Sequence, residues 1–375
     1  MSSNNKNRVL KKLEKLNYLD PEFLYYPLSG SSLKYHIDSK TKLFKEDLMY
    51  ENSTRRFYST VSGKALGTKT LNGKNYLVIE NDFKEKYKTK KVLRKKVNTL
   101  TKKNILEILS SLDASKYTSN INYFFNNFDK IDSLVLSLVS CEESDKIYSS
   151  VFNLHNNDIL EIFDSLSQIF EITNPVIIIS DTDEQNIEYV TNLSGMYPDI
   201  RIVLTNDKYP HSHPLLITRK LSLNHALVLT SVDLYYLFNL IKREKKVLEK
   251  EVLITGESLK KDYLITTKLN VLVKDLLDKC KIKLQDDDII CKNSAIKGET
   301  LDIYDIIDTD IDSIVIIKKD ECTQKECINC GLCNKYCPQK LNPQRYKLSN
   351  RPFPGKCIDC NMCSYVCPSK IGRKR

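Results

Sequence analysis

The spacing of apolar and polar positions changes several times along the chain, and each change predicts a different kind of element. Residues 8–18 read as the start of a short amphipathic helix, broken by Pro21, Pro27 and Gly30. From about residue 25 to 90 the apolar runs are short and separated by turn residues. Two alternating β-rich runs, FYSTVSGKALGTKTL and YLVIEND, flank Asn72-Gly73, the dipeptide that favours a tight hairpin turn. Farther on, Ile105, Ile108, Leu109 and Leu112 return at helical spacing. Then strand-like and helix-like stretches alternate. DSLVLSLVS predicts a strand, residues 157–171 a helix, PVIIISD a strand, residues 183–195 a helix, IRIVLTND a strand, and ALVLTSVDLYYLFNLIKREKKV a strand running into a helix. Short β-branched strands separated by helices indicate parallel βαβ units.

The pattern predicts a multidomain α/β and α+β chain. Residues 1–90 form a small β domain, 91–247 an open α/β domain, 248–318 a small α+β domain with one helix at 270–280, and 319–375 a segment without sheet periodicity. That last segment has too few apolar residues for a core of its own, so another agent must hold it. With 375 residues, 41% hydrophobic and 28% charged, the composition is that of a globular protein. No run approaches the ~18 to 20 apolar residues of a membrane-spanning helix, and MSSNNKNRVLKKLEKL lacks the pattern of a secretory signal. The expected location is the cytoplasm, including its membrane face, where thiols stay reduced and the 12 cysteines need a reason other than disulfides.

Charge is concentrated in two zones. Residues 84–103 hold ten Lys/Arg and one Glu, and residues 338–375 hold nine Lys/Arg and one Asp. The first zone has a single aromatic, Tyr87, and hence no stacking platform, so nucleic acid is not expected. A solvated linker and helix face, or a contact with anionic lipid or an acidic partner, fits it better.

The remaining agent is visible in the cysteines. Cys327, Cys330, Cys333 and Cys337-Pro338 form C-x2-C-x2-C-x3-C-P, and Cys357, Cys360, Cys363 and Cys367-Pro368 repeat it. Such runs hold [4Fe–4S] clusters, the fourth cysteine of each reaching the other cluster. The expected ligand sets are Cys327, Cys330, Cys333 and Cys367 for one cluster, and Cys357, Cys360, Cys363 and Cys337 for the other. Structural zinc also uses C-x2-C pairs, but gives no reason for a third regularly spaced cysteine and x3-C-P twice over. Cys141, Cys280 and Cys291 are expected to be buried thiols and Cys322 a spare near the clusters. His211 and His213 lie between two prolines with no third ligand, which reads as a surface turn. Glu142, Glu143 and Asp145 follow a strand end and read as helix-capping groups.

These motifs, with CPQKLNPQRYK between them, resemble the RnfC family, the peripheral electron-input subunit of the membrane-bound Rnf ferredoxin:NAD oxidoreductase. Upstream, PLSGSSLKYHIDSKTKLFKEDLMYENSTRRFYSTVSGKALG with YLVIEND looks like that family's barrel-like N-terminal domain. LITGESLKKDYLITTKLNVLVKDLL looks like its SLBB (β-grasp-like) domain, and the C-terminal segment like a ferredoxin-type 2[4Fe–4S] domain. The resemblance implies a subunit passing single electrons through two [4Fe–4S] clusters, with a ferredoxin, a flavoprotein or Rnf-type membrane subunits as partners and peripheral membrane contact. The family's glycine-rich flavin loop has no counterpart, because no glycine occurs between Gly73 and Gly195. Residues with a Cβ do not readily supply such a loop, so the flavin (FMN) and NADH site is expected to be absent or crippled. The acidic segment of the family survives only as Ser140-Cys141-Glu142-Glu143-Ser144. The alternatives are a complete enzyme that oxidises NADH on a bound flavin, a soluble ferredoxin-like carrier, and a scaffold whose clusters only hold the C-terminal segment folded.

Overall fold

The computed structural model describes residues 11–30, 32–38, 41–53, 55–88, 100–113, 117–319, 324–349 and 352–372. Most of the first basic zone, and Cys322, lie outside them.

The fold is multidomain and mixed α/β, built on four sheets. Near the N-terminus, β2 (Phe23–Pro27), β8 (Lys74–Asn81), β7 (Gly63–Leu71) and β4 (Lys42–Leu43) form one antiparallel sheet. A second contains β3 (Lys34–Tyr35), β5 (Leu48–Glu51) and β6 (Arg56–Tyr58). Leu24, Tyr26, Met49, Tyr50, Val61 and Ile79 fill their common core. Strands β7 and β8 meet at the predicted turn, where Leu71 faces Lys74 and both Asn72 and Gly73 have positive φ, 44° and 74°. Two left-handed residues in succession match the twist of a two-residue hairpin.

Helices α1 (Lys102–Ser111) and α2 (Ser119–Asn127) come next, each capped by a threonine hydroxyl, Thr101 and Thr118. The sequence pattern missed α2. The parallel sheet is as expected, in the order β11-β10-β9-β12, from β9 (Ser133–Leu138), β10 (Asn174–Ser180), β11 (Arg201–Thr205) and β12 (Ala226–Thr230). Every residue of β9 is buried, which is why its run is apolar throughout instead of alternating.

Around this sheet lie α3 (Lys146–Ile169), α4 (Glu184–Leu193), α5 (Pro214–Lys220) and α6 (Ser231–Lys242). Helix α3 begins well before the predicted residue 157. It kinks at His155, whose φ and ψ of −132° and 25° are not helical. There the imidazole stacks on Tyr235 of α6 at 3.7 Å and meets Glu251 at 3.0 Å, so the kink sits where α3 is tied to two neighbours.

The largest correction concerns the first element. The predicted helix start is instead a strand, β1 (Leu13–Tyr18), lying parallel to β14 (Asp262–Lys268). It completes a five-stranded sheet, β1-β14-β13-β16-β15, with β13 (Glu249–Thr255), β15 (Asp288–Lys292) and β16 (Ser313–Lys318). Alternate β1 residues are half-buried, and Leu16 and Tyr18 pack on a core that includes Val252, Ile265 and Leu276. The period is therefore 2, and tertiary pairing decides it. The predicted 270–280 helix is α7 (Val273–Lys279).

Among the described residues of the C-terminal segment there is no strand. It holds α8 (Leu332–Lys335), α9 (Pro343–Leu348) and α10 (Met362–Tyr365). No described helix is long and apolar enough to cross a membrane.

Candidate metal centre

The sequence repeat is also a backbone repeat. Positive φ occurs at Asn329 and Asp359, at Gly331 and Asn361, and at Lys340 and Lys370, each pair 30 residues apart. Gly331 and Asn361 precede α8 and α10. Asn and Asp tolerate this left-handed conformation better than most residues. Left-handed residues set into a turn are the kind of backbone that forms concave, amide-lined sites for anionic groups and Fe–S clusters.

The eight cysteines line two cavities. Cys327, Cys330, Cys333 and Cys367 line one, and Cys337, Cys357, Cys360 and Cys363 line the other. Each therefore takes three cysteines from one motif and the fourth from the other. Among the described residues, no group of three His, Cys, Asp or Glu side chains is disposed to hold a metal ion.

Burial holds the Cys333, Cys360 and Cys363 thiols above their ordinary pKa. Neighbouring thiolates add to this: Cys367 for Cys333; Cys363, Cys337 and Cys357 for Cys360; and Cys357 and Cys333 for Cys363. Ligation needs the thiolate, so a positive core must offset both effects.

Two side chains from α9, missed by the sequence pattern, support these cavities. Lys347 is 4% exposed, and its ammonium donates to the carbonyls of Cys363 at 2.8 Å and Ile371 at 2.6 Å. Its charge lowers the pKa of both Cys333 and Cys363, so it acts on both cavities. Gln344 donates to Asn329 Oδ1 at 2.8 Å and points its amide at Cys327 Sγ, 3.9 Å away, while Asn334 and Gln344 tie α8 to α9.

The cavity of Cys337, Cys357, Cys360 and Cys363 is anchored to the rest of the molecule. The Tyr209 hydroxyl donates to the Cys360 carbonyl, Asn361 donates to the Ile296 carbonyl at 2.7 Å, and Arg219 reaches Gln339 at 3.0 Å. Buried Cys141 supports the loop that carries Tyr209: its Sγ accepts from the Ser212 amide at 3.1 Å and lies 3.5 Å from the Lys208 carbonyl. Burial pushes this thiol up to about 11. Cys280 and Cys291 are buried as expected.

The two histidines do not form a metal pair. His211 Nδ1 meets Asn206 Oδ1, and His213 caps α5 by accepting from the Leu215 amide. The acidic trio goes beyond capping. Asp145 accepts from the Cys141 and Glu142 amides, whereas Glu142 accepts from Ser294 and Ala295, and Glu143 pairs with Lys11. The last two carboxylates join the parallel sheet to the five-stranded one.

No protein-family model matches the chain, and no curated protein matches it. Among solved structures it is similar to chains of an NAD+-reducing [NiFe]-hydrogenase in the air-oxidized and H2-reduced states. Both alignments have 8% identity and cover 47% of those chains, with 59% and 58% of this chain and TM-scores of 0.46 and 0.43. The chain thus spans about half the length of the structures it resembles.

Proposed function

We propose that this chain is an iron–sulfur electron-transfer protein, an RnfC-like subunit of a membrane-associated electron-transport complex, holding two [4Fe–4S] clusters. Cys327, Cys330, Cys333 and Cys367 hold one, and Cys357, Cys360, Cys363 and Cys337 hold the other. The carrying observation is the division of the thiols into two cavities of four, each with one cysteine from the opposite motif. Structural zinc would need one set of four thiolates per ion and gives no reason for a third regularly spaced cysteine and x3-C-P in both motifs. When bound, the clusters supply reversible one-electron exchange. The chain holds them by crossed ligation and places the Lys347 charge beside both. The N-terminal sheets and the five-stranded unit take the parts of barrel-like and SLBB-like scaffold.

Iron analysis of paired variants tests the ligand sets. In Cys330→Ala/Cys367→Ala both substitutions strike one cluster, and about four iron atoms should remain; in Cys330→Ala/Cys337→Ala both clusters are struck, and about none should remain. The opposite outcome would refute the crossed assignment.

The chain is proposed to bind no flavin, since α1 and α2 occupy the glycine-free region where the family has its loop. Stoichiometric flavin released on extraction would overturn that. One observation favours the second reading, a flavin-dependent NADH-oxidising enzyme: a crevice lined by Cys141, Glu142, Gly256, Asn361 and Tyr365 opens beyond the C-terminal end of β9, where open α/β sheets bind ligands. NADH-dependent bleaching of the clusters in the isolated protein would select it.

A further inference from the structure

The two halves of the repeat are unequally covered. Ile328 and Ile358 are equivalent, 30 residues apart, yet they are 66% and 8% exposed. Cys330 is exposed, whereas its equivalent Cys360 is buried. The difference comes from docking: Tyr209, Asn361 and the backbone contact of His213 with Ile358 seat the second motif against the rest of the chain. Nothing equivalent covers the first among the described residues. Ile328 and the 54% exposed Leu348 both line the cavity of Cys327, Cys330, Cys333 and Cys367.

Cations stand next to its lining residues in the chain. Lys335 lies two residues after Cys333 and Arg345 directly after Gln344, both of which line this cavity, whereas Lys340 lies between Gln339 and Leu341, which line the other. All three are exposed and have no ion-pair partner among the described residues, and Glu326 is the only acidic residue in 324–349.

We propose that this cavity is the outward terminal of the pair, and that the surface of Ile328, Leu348, Lys335 and Arg345 docks a small acidic electron-carrier protein. The proposal rests on the two-cluster reading. A few exposed apolar side chains with unpaired cations nearby suit a brief encounter, for which electron-transfer complexes bury less than about 1,200 Å², while complementary charge raises the association rate. One electron passes per encounter, lost by one centre and gained by the other, with no bond made or broken.

The test titrates the holoprotein with an acidic plant-type ferredoxin at low and at about 0.3 M salt. Lys335→Glu/Arg345→Glu should weaken binding by at least about tenfold, Ile328→Ser should weaken it severalfold, and the exposed control Lys69→Glu on β7 should leave it unchanged. Iron content and the paramagnetic signal of the reduced clusters should stay at wild-type values in Lys335→Glu/Arg345→Glu and in Lys69→Glu. Unchanged affinity on charge reversal, with clusters intact, would overturn the docking surface. So would capture by anionic phospholipid vesicles in place of the ferredoxin. A wild-type protein that takes up no iron would instead overturn the cluster reading, and this proposal with it.

Discussion

Replacing Lys347 by glutamine removes one positive charge from beside both cysteine cavities while keeping a hydrogen-bond donor for the carbonyls of Cys363 and Ile371. The ammonium is almost fully buried, so solvent screens it little. Two unit charges on the order of 7 Å apart at an effective dielectric of about 20 interact by about 2.4 kcal/mol. For a one-electron couple this is about 100 mV, since 59 mV corresponds to a tenfold change. Reduction makes each cluster more negative, so loss of the cation should lower both potentials, by about 50 to 100 mV once relaxation takes its share. The assay is a redox titration followed by the paramagnetic signals of the two reduced clusters, with iron content measured on the same sample. Lys347→Arg, which keeps the charge, should stay near wild type. A glutamine variant that retains both clusters and titrates within about 20 mV of wild type would refute the electrostatic role.

Other expectations concern the scaffold. Cys141 and Cys280, pushed up to about 11 and about 12 by burial, should resist alkylation at pH 8 in the folded holoprotein; mass spectrometry showing Cys280 modified there would contradict this. Because both pKa values are raised above 9.0, the stability these thiols contribute is fully present below pH 9 and is lost as pH rises through about 11 to 12. Asp312→Ala leaves the buried Lys250 ammonium, now bonded to Asp312 at 2.8 Å, without its carboxylate. Urea denaturation should show a loss of about 3 kcal/mol, partly recovered in Lys250→Met/Asp312→Ala. Leu16→Asp puts a charge on the half-buried face of β1 and should cost about 2 kcal/mol; unchanged amide-exchange protection across Leu13–Tyr18 would argue against the β1 pairing.

What the sequence revealed follows physical lines. The strands of the parallel sheet were legible because strands covered on both faces need unbroken β-branched runs, as in PVIIISD. The cysteine spacing was legible because clusters restrict where ligands can stand. Strand β1 was not. In LEKLNY, Leu13 and Leu16 stand three apart, which reads as a helix, whereas in the strand they fall on opposite faces, and the partner that selects period 2 lies about 250 residues away. Helix α2, SNINYFFNN, is rich in asparagine and poor in strong helix formers, and Ile121 and Phe124 are held by the surrounding core. Tyr209 sat in a segment read only as a turn. Lys347 was one of nine cations in the C-terminal zone, and only the docking of α9 onto the two motifs sets it apart.

The placement of β1 also sets a timetable for making the protein. Its partner, Asp262–Lys268, leaves the ribosome about 250 residues later, which at 5 to 20 residues per second is a wait of roughly 12 to 50 s. During that interval Leu16 and Tyr18 have no sheet to pack on, and the backbone of residues 13–18 is an open edge available to any passing strand. Strand β1 is thus held back until its partner some 250 residues on has been made, and it needs shelter while it waits.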